Sequence, residues 1–331
     1  MRLSVCIYTY NHESFIEQAV QSALGQEVNF DYEIVVGDDC STDATPHILH
    51  RLAAAYPGRL RIERRETNLG AEENFARTIA ACRGELISFL DGDDFWTDRN
   101  KLATQVDFLD RHPDASFCFH RTRSLNAVQE YVLPPLDPPE LSSIEFLLQQ
   151  SNPVALHTVM TRLEHLSDLS TWIANLKLGD WPLCIMLATK GPMGFIPREM
   201  SRHRVHNGGS WTSLMPSLRE AYVIQMLNRL SKLLRGEEKT VIDHRRTELA
   251  SYWANDLLHE SSRPLGDLIS QIAGLNDSEL STFLLSHVIE RARLMNDAKI
   301  WHETQSQAWE AQSQAWEAEA KKSIFRKVFR R

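Results

Sequence analysis

Cysteine is scarce in this sequence, and an excess of positive charge is absent. The 331 residues include five scattered cysteines with no CxxC or Cys/His ligand spacing, which argues against a disulfide framework and against a zinc site. Reduced, buried thiols in a cytoplasmic protein are the simplest interpretation. The formal net charge is −8, so no nucleic-acid partner is predicted.

Long apolar segments are absent as well. Nowhere do about 18 apolar residues run together, so no transmembrane helix is predicted. The first residues, "MRLSVCIYTYNH", lack a basic region followed by a long apolar core, so they are not expected to be a signal peptide. These absences predict a cytoplasmic protein, and its length allows one large domain plus an appendage.

The first third of the chain alternates between strand-like and helix-like patterns. Runs of β-forming residues occur at "LSVCIY", "YEIVVGDD", "LRIERRE" and "ELISFLDGDD". The segments between them space their apolar residues as amphipathic helices do. This alternation predicts an α/β fold with a mostly parallel, twisted sheet flanked by helices.

Three of the predicted strands end in polar clusters. These clusters are "YTYNH", "GDDCSTD" and "DGDDFW". In open parallel sheets, ligands bind beyond the carboxyl ends of the strands. We therefore expect the three clusters to converge on one crevice.

The third of these clusters places Asp91, Asp93 and Asp94 within four positions. Carboxylates this close repel one another and disfavour joint ionisation. A divalent cation would relieve the repulsion, and hard oxygen ligands suit Mg²⁺ or Mn²⁺ shared with substrate phosphates. The alternative is an exposed Asp-rich turn, because Asp and Gly favour turns.

Five stretches occur in one order between residues 1 and 211. They are "SVCIYTYNHESFIEQAVQSALGQ", "YEIVVGDDCSTDAT", "NLGAEENFARTIAACRGELISFLDGDDFWTDRNKLATQVDFL", "GDWPL" and "RHRVHNGGSW". This ordered set resembles a family 2 glycosyltransferase of the GT-A fold, as found in bacterial polysaccharide synthesis. The resemblance implies a Rossmann-like sheet, Mn²⁺ or Mg²⁺ as cofactor, and inverting transfer from a nucleotide-diphosphate sugar, most commonly a UDP-sugar. It also implies a glycan or a lipid-linked acceptor.

The resemblance assigns donor binding to eight residues. They are Tyr8, Thr9, Tyr10, Asn11, Asp39, Asn74, Asp93 and Arg204. Asp39 would accept from the uracil imide N–H, whereas a helix N-cap role is the alternative for the Asp38–Asp39 pair. Asn74 could equally be a helix-capping or surface residue. Many members of the family carry Arg near this point, where Phe75 stands here.

The resemblance also assigns metal ligands. Asp93 and Asp94 would lie at the metal, and Asp91 is the first carboxylate of a DxD-type arrangement, where relatives take Glu as readily. His206 would complete the metal shell or bind the pyrophosphate; an exposed histidine in a basic loop is the alternative.

Asp180 in "GDWPL" corresponds to the general base of the family. Its alternative role is the N-cap of the helix that follows, and both roles are compatible. Arg204 would pair with phosphate oxygens, and His203 replaces a Tyr that is usual in relatives. In "NPVALHTVMTR", His157 and Thr158 could touch donor or acceptor, with a structural role favoured for His157.

The rest of the chain is predicted to be helical. We expect a GT-A domain at 1–211, a helical region at 212–298, and a heptad-repeat helix with a basic amphipathic tail at 299–331. A heptad ladder over 288–318 suggests self-association, with a solvated single helix as the alternative. The tail 321–331 suits contact with the inner face of an anionic membrane, with a disordered soluble tail as the alternative.

Two rival functions are open on the sequence alone. A sugar-phosphate nucleotidyltransferase would need a Gly-rich, basic phosphate loop after the first strand, where "YTYNHES" has neither Gly nor Lys. A noncatalytic scaffold would act through the heptad tail. Loss of Asp94 or Asp180 would leave the scaffold functional and would inactivate the enzyme.

Overall fold

The computed structural model describes residues 1–125, 130–149, 153–169, 172, 176, 180–206, 216–259, 284, 286 and 287. The chain forms two compact units, 1–213 and 214–331. Each unit is described by itself.

The first unit alternates strands and helices, as predicted. Its strands are β1 (Leu3–Thr9), β2 (Tyr32–Asp38), β3 (Leu60–Arg64), β4 (Leu86–Asp91), β5 (Phe95–Trp96), β6 (Phe117–Leu125), β7 (Val132–Leu133), β8 (Leu141–Ser142), β9 (Met160–Arg162) and β10 (Met193–Arg204). Its helices are α1 (Ile16–Leu24), α2 (Thr45–Ala55), α3 (Ala71–Ala81), α4 (Lys101–Arg111), α5 (Ile144–Gln149) and α6 (Asp180–Ala188), with 3-10 turns at Leu156–Thr158 and Leu163–Leu166.

All ten strands form one sheet. The order along it is β3-β2-β1-β4-β9-β6-β10-β5, with β7 beside β6 and β8 beside β10. The parallel pairs match five to nine residues each, whereas the antiparallel pairs match two or three. The predicted α/β fold with a mostly parallel sheet is therefore confirmed, and the short antiparallel strand β9 joins its two parallel parts.

The central strands are buried on both faces, which explains their nearly continuous apolar runs. Leu3, Val5 and Ile7 of β1 lie in one core cluster with the apolar side chains of α1. Helix α3 packs on β1 and β2. This packing requires Gly37, because a Cβ there would collide with Thr78 on α3.

The register brings the predicted polar strand ends together. In the β1–β2 and β1–β4 pairs, Thr9 lies opposite Asp38, and Tyr8 lies opposite Asp91. The turns that follow β1 and β2 are also joined, because Asn11 accepts from the N–H of Thr42 at 2.8 Å. Asn11 adopts a positive φ of 55°, a conformation that Asn tolerates better than most residues.

The described part of the second unit consists mainly of two helices, α7 (Pro216–Leu233) and α8 (Gly236–His259). They pack against each other, and Arg246 donates to Asn228 at 2.7 Å between them. The predicted helical C-terminal extension is thus present. The heptad ladder at 288–318 and the tail at 321–331 lie outside the described residues. Within the described ranges, no helix has the length and hydropathy that a bilayer crossing would need.

Candidate active site

The acidic cluster forms a tight turn at the carboxyl edge of the sheet. Asp91 ends β4, and the N–H of Asp94 donates to the Asp91 carbonyl at 3.1 Å. Gly92 donates its N–H to the carbonyl of Tyr8, and a Cβ at Gly92 would lie 2.6 Å from Thr9 Oγ1. The chain then enters β5, which pairs with β10 through Trp96. The predicted crevice therefore has the acidic turn beside the end of β1.

Asp91, Asp94 and His157 can offer three ligand atoms that all lie within 4.8 Å of one another. His157 Nδ1 lies 2.6 Å from Asp94 Oδ2 and 3.8 Å from Asp91 Oδ2. The side chains of His157 and Asp94 are only 1% and 2% exposed. Two carboxylate oxygens and one imidazole nitrogen are donors that suit Mn²⁺ or Mg²⁺.

The electrostatics of this cluster favour a cation. Burial, together with the charges of Asp94 and Asp93, raises the pKa of Asp91 to about 8. Burial and the charge of Asp93 raise the pKa of Asp94 to about 7. Burial also lowers the pKa of His157 to about 4, so its imidazole is neutral at neutral pH. A bound cation would stabilise the ionised form of both carboxyl groups, and the neutral imidazole has a lone pair to offer it.

Asp93 lies apart from this trio. Its Oδ2 is 3.0 Å from His206 Nε2 and 3.9 Å from His12 Nε2. Burial would raise the pKa of Asp93, but the charges and hydrogen bonds of the two histidines outweigh burial and lower it. The structure thus brings the predicted ligands Asp93 and His206 together as a pair, and their contact with a metal stays a prediction.

Arg204 covers the acidic turn. Its backbone N–H donates to Asp94 Oδ1 at 2.7 Å, and its guanidinium donates to the Asp93 carbonyl and to Gln18. The guanidinium carbon stacks 4.4 Å from the ring centroid of Phe95 and 5.2 Å from that of Phe15. A delocalised cation is therefore held beside the carboxylates, at the place predicted for a phosphate contact.

The residues predicted to hold the nucleotide lie along the ends of β1 and β2. Tyr8 donates its hydroxyl to Asp91, whereas Tyr10 is 43% exposed. The Thr9 hydroxyl is buried and has no hydrogen-bond partner among the described residues. The Asn11 side chain accepts from the Thr42 N–H, which fixes the turn after β1. The end of β1 therefore combines a fixed backbone with polar groups that a ligand can use.

The Asp39 carboxylate is hydrogen-bonded to backbone groups of the same protein. Its two carboxylate oxygens accept from the N–H groups of Leu69 and Gly70 at 2.8 and 2.9 Å. The helix-capping alternative is not supported, because the N-cap of α2 is Ala44. Asp39 therefore anchors the loop before α3, and each oxygen retains a lone pair for a base N–H.

The Asn74 side chain is buried and hydrogen-bonded within the fold. It is 1% exposed, donates to the Gly37 carbonyl at 2.9 Å and accepts from Arg65 Nε at 3.0 Å. These contacts leave it poorly placed for the predicted donor contact. Phe75, which stands where relatives carry Arg, packs its ring 5.1 Å from Tyr8 and 5.4 Å from Phe89.

Asp180 is the first residue of α6. Its Oδ1 accepts from the N–H of Trp181 at 2.8 Å, which fixes the carboxylate at the helix N-terminus. Burial, and after it the charge of Asp91, raises the pKa of Tyr8, and Asp180 adds to this effect. Asp180 therefore lies at the same edge of the sheet as the acidic turn.

Two histidines of the site were not recognised as such from the sequence. For His157 the sequence leaves open a contact to donor or acceptor and favours a structural role, and the structure places it in the trio with Asp91 and Asp94. The His203 ring lies 5.7 Å from that of His157, and its Nδ1 is 2.6 Å from the Tyr131 hydroxyl. No local pattern marks either histidine, because the pairing of β4, β9, β6 and β10 brings them to the acidic turn.

Comparison with known proteins identifies a matching family and similar proteins. Residues 4–163 match the family described as "Glycosyl transferase family 2". An uncharacterized protein of Mycobacterium tuberculosis is 35% identical over 213 residues, which cover 64% of this chain and 61% of that protein.

Two solved structures share the fold. Residues 1–349 of S. aureus TarS, in complex with UDP-GlcNAc, align with a TM-score of 0.60 and 19% identity over 94% of this chain and 89% of that chain. The mannosyltransferase PcManGT from Pyrobaculum calidifontis, in complex with GDP-Man and Mn²⁺, aligns with a TM-score of 0.58 and 17% identity. The alignment covers 87% of this chain and 86% of that chain.

Residues 4–163 therefore belong to glycosyl transferase family 2, a family of transferase enzymes, on a GT-A fold. The family predicted from the ordered motifs is confirmed. The match spans 61% of the mycobacterial relative's own length.

Proposed function

We propose that this chain is an inverting glycosyltransferase that moves a sugar from a nucleotide diphosphate to a hydroxyl of a glycan or lipid-linked acceptor. The observation that carries the proposal is the trio of half-buried Asp91 with buried Asp94 and His157, beneath Arg204 at the carboxyl edge of the sheet. A departing diphosphate is negatively charged, and this arrangement places a cation site and a guanidinium close together to stabilise that charge.

Asp91, Asp94 and His157 would hold Mn²⁺ or Mg²⁺, and Asp93 with His206 would flank it. The donor atoms fit such an ion, and the raised pKa values of the two carboxyl groups support a cation, because a positive charge would relieve their mutual repulsion. When bound, the ion supplies Lewis-acid stabilisation of the diphosphate oxygens. The Mn²⁺ complex of PcManGT supports this choice of metal.

Arg204 and Asp180 would act on the two ends of the reaction. The Arg204 guanidinium binds diphosphate oxygens after exchanging its contacts to Gln18 and the Asp93 carbonyl. Asp180 removes the proton from the acceptor hydroxyl as general base. Attack from the face opposite the departing diphosphate inverts the anomeric carbon.

The nucleotide would lie along Tyr8, Thr9, Tyr10 and Asn11, with Asp39 reading the base. UDP is our first choice, supported by the UDP-GlcNAc complex of TarS, although GDP-Man binds to PcManGT on a similar fold. Membrane contact through 321–331 at the cytoplasmic face, and self-association through 288–318, stay predictions for segments outside the described residues.

The test is hydrolysis of a panel of UDP-sugars and GDP-sugars with Mn²⁺, with Mg²⁺ and with EDTA. We expect metal-dependent release of one nucleoside diphosphate, and its loss in Asp94→Asn. An exposed carboxylate on α4, in the variant Asp107→Asn, provides the matched control. Absence of both binding and turnover across the panel would overturn the proposal.

A further inference from the structure

We propose that Thr122 and Ser201 act as positioning residues that hold His157 in its Nε2–H tautomer, so that His157 Nδ1 is the third protein ligand of the cation. The inference rests on the metal-assisted function proposed above. It adds two supporting hydroxyls that the motifs of the sequence do not mark.

The three side chains form a continuous buried chain of hydrogen bonds. His157 Nε2 lies 3.0 Å from Thr122 Oγ1, on the side of the ring away from the carboxylates. Thr122 Oγ1 lies 3.2 Å from the Ser201 carbonyl, and Ser201 Oγ donates to it at 2.8 Å. None of the three residues is more than 1% exposed, so water does not compete for these contacts.

A cation at Nδ1 is compatible with every hydrogen bond of this chain. A threonine hydroxyl carries one proton and two lone pairs. A cation bound to the Nδ1 lone pair leaves the imidazole proton on Nε2, where it donates to Thr122 Oγ1. Thr122 then donates its own proton to the Ser201 carbonyl and accepts from Ser201 Oγ–H.

The opposite side of the ring requires a positive group. His157 Nδ1 as a lone pair and Asp94 Oδ2 as a carboxylate oxygen are both acceptors, yet they lie 2.6 Å apart. Such a pair is stable only when it shares a proton or a cation. A metal ion that replaces this proton gains an imidazole ligand whose other nitrogen is already hydrogen-bonded, a common arrangement around protein metals.

The surrounding fold holds the ring in place. The Trp96 indole N–H donates to the His157 carbonyl at 3.0 Å. Thr122 on β6 lies opposite Ser201 on β10 in the parallel register of these strands. The sheet itself therefore sets the distance between the two hydroxyls, and Thr122 Oγ1 lies next to His157 Nε2.

The main test is Mn²⁺ affinity, measured by electron paramagnetic resonance, in wild type and in Thr122→Val. Supporting hydrogen bonds of this kind are worth about 10- to 100-fold in metal affinity, so we expect Thr122→Val to bind Mn²⁺ at least about tenfold more weakly. Thr122→Ser, which keeps the hydroxyl, should restore most of the affinity. The control is Thr161→Val, which removes another buried threonine hydroxyl, bonded to the Ser116 carbonyl at 2.7 Å.

A second readout does not involve activity. In Mg²⁺-loaded protein labelled with ¹⁵N-histidine, the nitrogen shifts and couplings of His157 report which ring nitrogen carries the proton. We expect Nε2–H in wild type and in Thr161→Val, and loss of this preference in Thr122→Val.

The outcomes separate the two proposals. If wild type binds Mn²⁺ and Thr122→Val binds it as tightly as Thr161→Val, the inference is wrong and the proposed function stands. A proton on His157 Nδ1 in Mg²⁺-loaded wild type also overturns the inference. A wild-type protein that binds no Mn²⁺ overturns both the inference and the metal-assisted function.

Discussion

Asp94 Oδ1 accepts a hydrogen bond from the backbone N–H of Arg204 at 2.7 Å. This contact joins the acidic turn after β4 to the end of β10 and does not involve the arginine side chain. Substitutions of Arg204 therefore leave this backbone contact intact. They change the guanidinium and its contacts to the Asp93 carbonyl and Gln18.

The first prediction follows from that separation. Arg204→Lys keeps a positive charge but loses the planar fork that binds two phosphate oxygens at once. We expect the dissociation constant for UDP in the presence of Mn²⁺ to rise about tenfold, equivalent to about 1.4 kcal/mol. Arg202→Lys, two residues earlier and paired with Glu199, is the control. Equal UDP affinity in both variants would remove Arg204 from the diphosphate site.

The second prediction separates the two roles of Asp180. Asparagine caps helices as well as aspartate does, so Asp180→Asn keeps the contact to Trp181 N–H and loses the basic oxygen. Transfer to acceptor should fall about 10²- to 10⁴-fold, the usual contribution of a general base, while UDP affinity and the thermal unfolding midpoint stay near those of wild type. Full transfer activity in this variant would show that Asp180 only caps the helix.

The third prediction concerns a buried lysine near the site. Lys101 is fully buried, donates its Nζ to Ser88 Oγ at 2.5 Å and lies over the Trp96 ring. Burial lowers the pKa of Lys101 well below its usual value. At pH values between the folded and the unfolded pKa, Lys101 is protonated in the unfolded chain and neutral in the folded protein. The contribution of Lys101 to the free energy of unfolding therefore increases as the pH rises.

Lys101→Met removes this linkage. The difference in unfolding free energy, Lys101→Met minus wild type, should therefore decrease steadily as the pH rises from 7 towards 10, where the unfolded lysine begins to lose its proton. Urea denaturation of both proteins across this range measures it, and the subtraction cancels the titration of the buried cysteines and tyrosines. Parallel stability curves would mean that Lys101 is protonated in the folded protein throughout this range.

The apolar runs were sufficient to predict the central strands. Strands β1, β2 and β4 carry continuous buried side chains between polar ends, and a parallel sheet brings such ends together without further information. The acidic turn was therefore placed correctly beside the end of β1. The helices α1 and α3 were likewise marked by their spacing of apolar residues.

The composition of the site was harder to predict, because it depends on contacts between distant parts of the chain. His157 reaches Asp94 only because the 3-10 turn before β9 lies beside β4, and no local pattern marks that packing. Asn74 carries a side chain suited to a ligand, but the close approach of α3 to Gly37 buries it. A motif identifies residue types, whereas burial and register decide which of them face the crevice.

The central claim is that a cation held by the trio of Asp91, Asp94 and His157 binds the nucleotide diphosphate. Calorimetric titration of UDP into wild type, with Mn²⁺ and with EDTA, tests it most directly. We predict that affinity falls at least about tenfold in EDTA, and that Asp94→Asn binds UDP weakly in both conditions, while Asp107→Asn behaves as wild type. Equal UDP affinity of wild type in Mn²⁺ and in EDTA, with undiminished turnover in EDTA, would contradict the account.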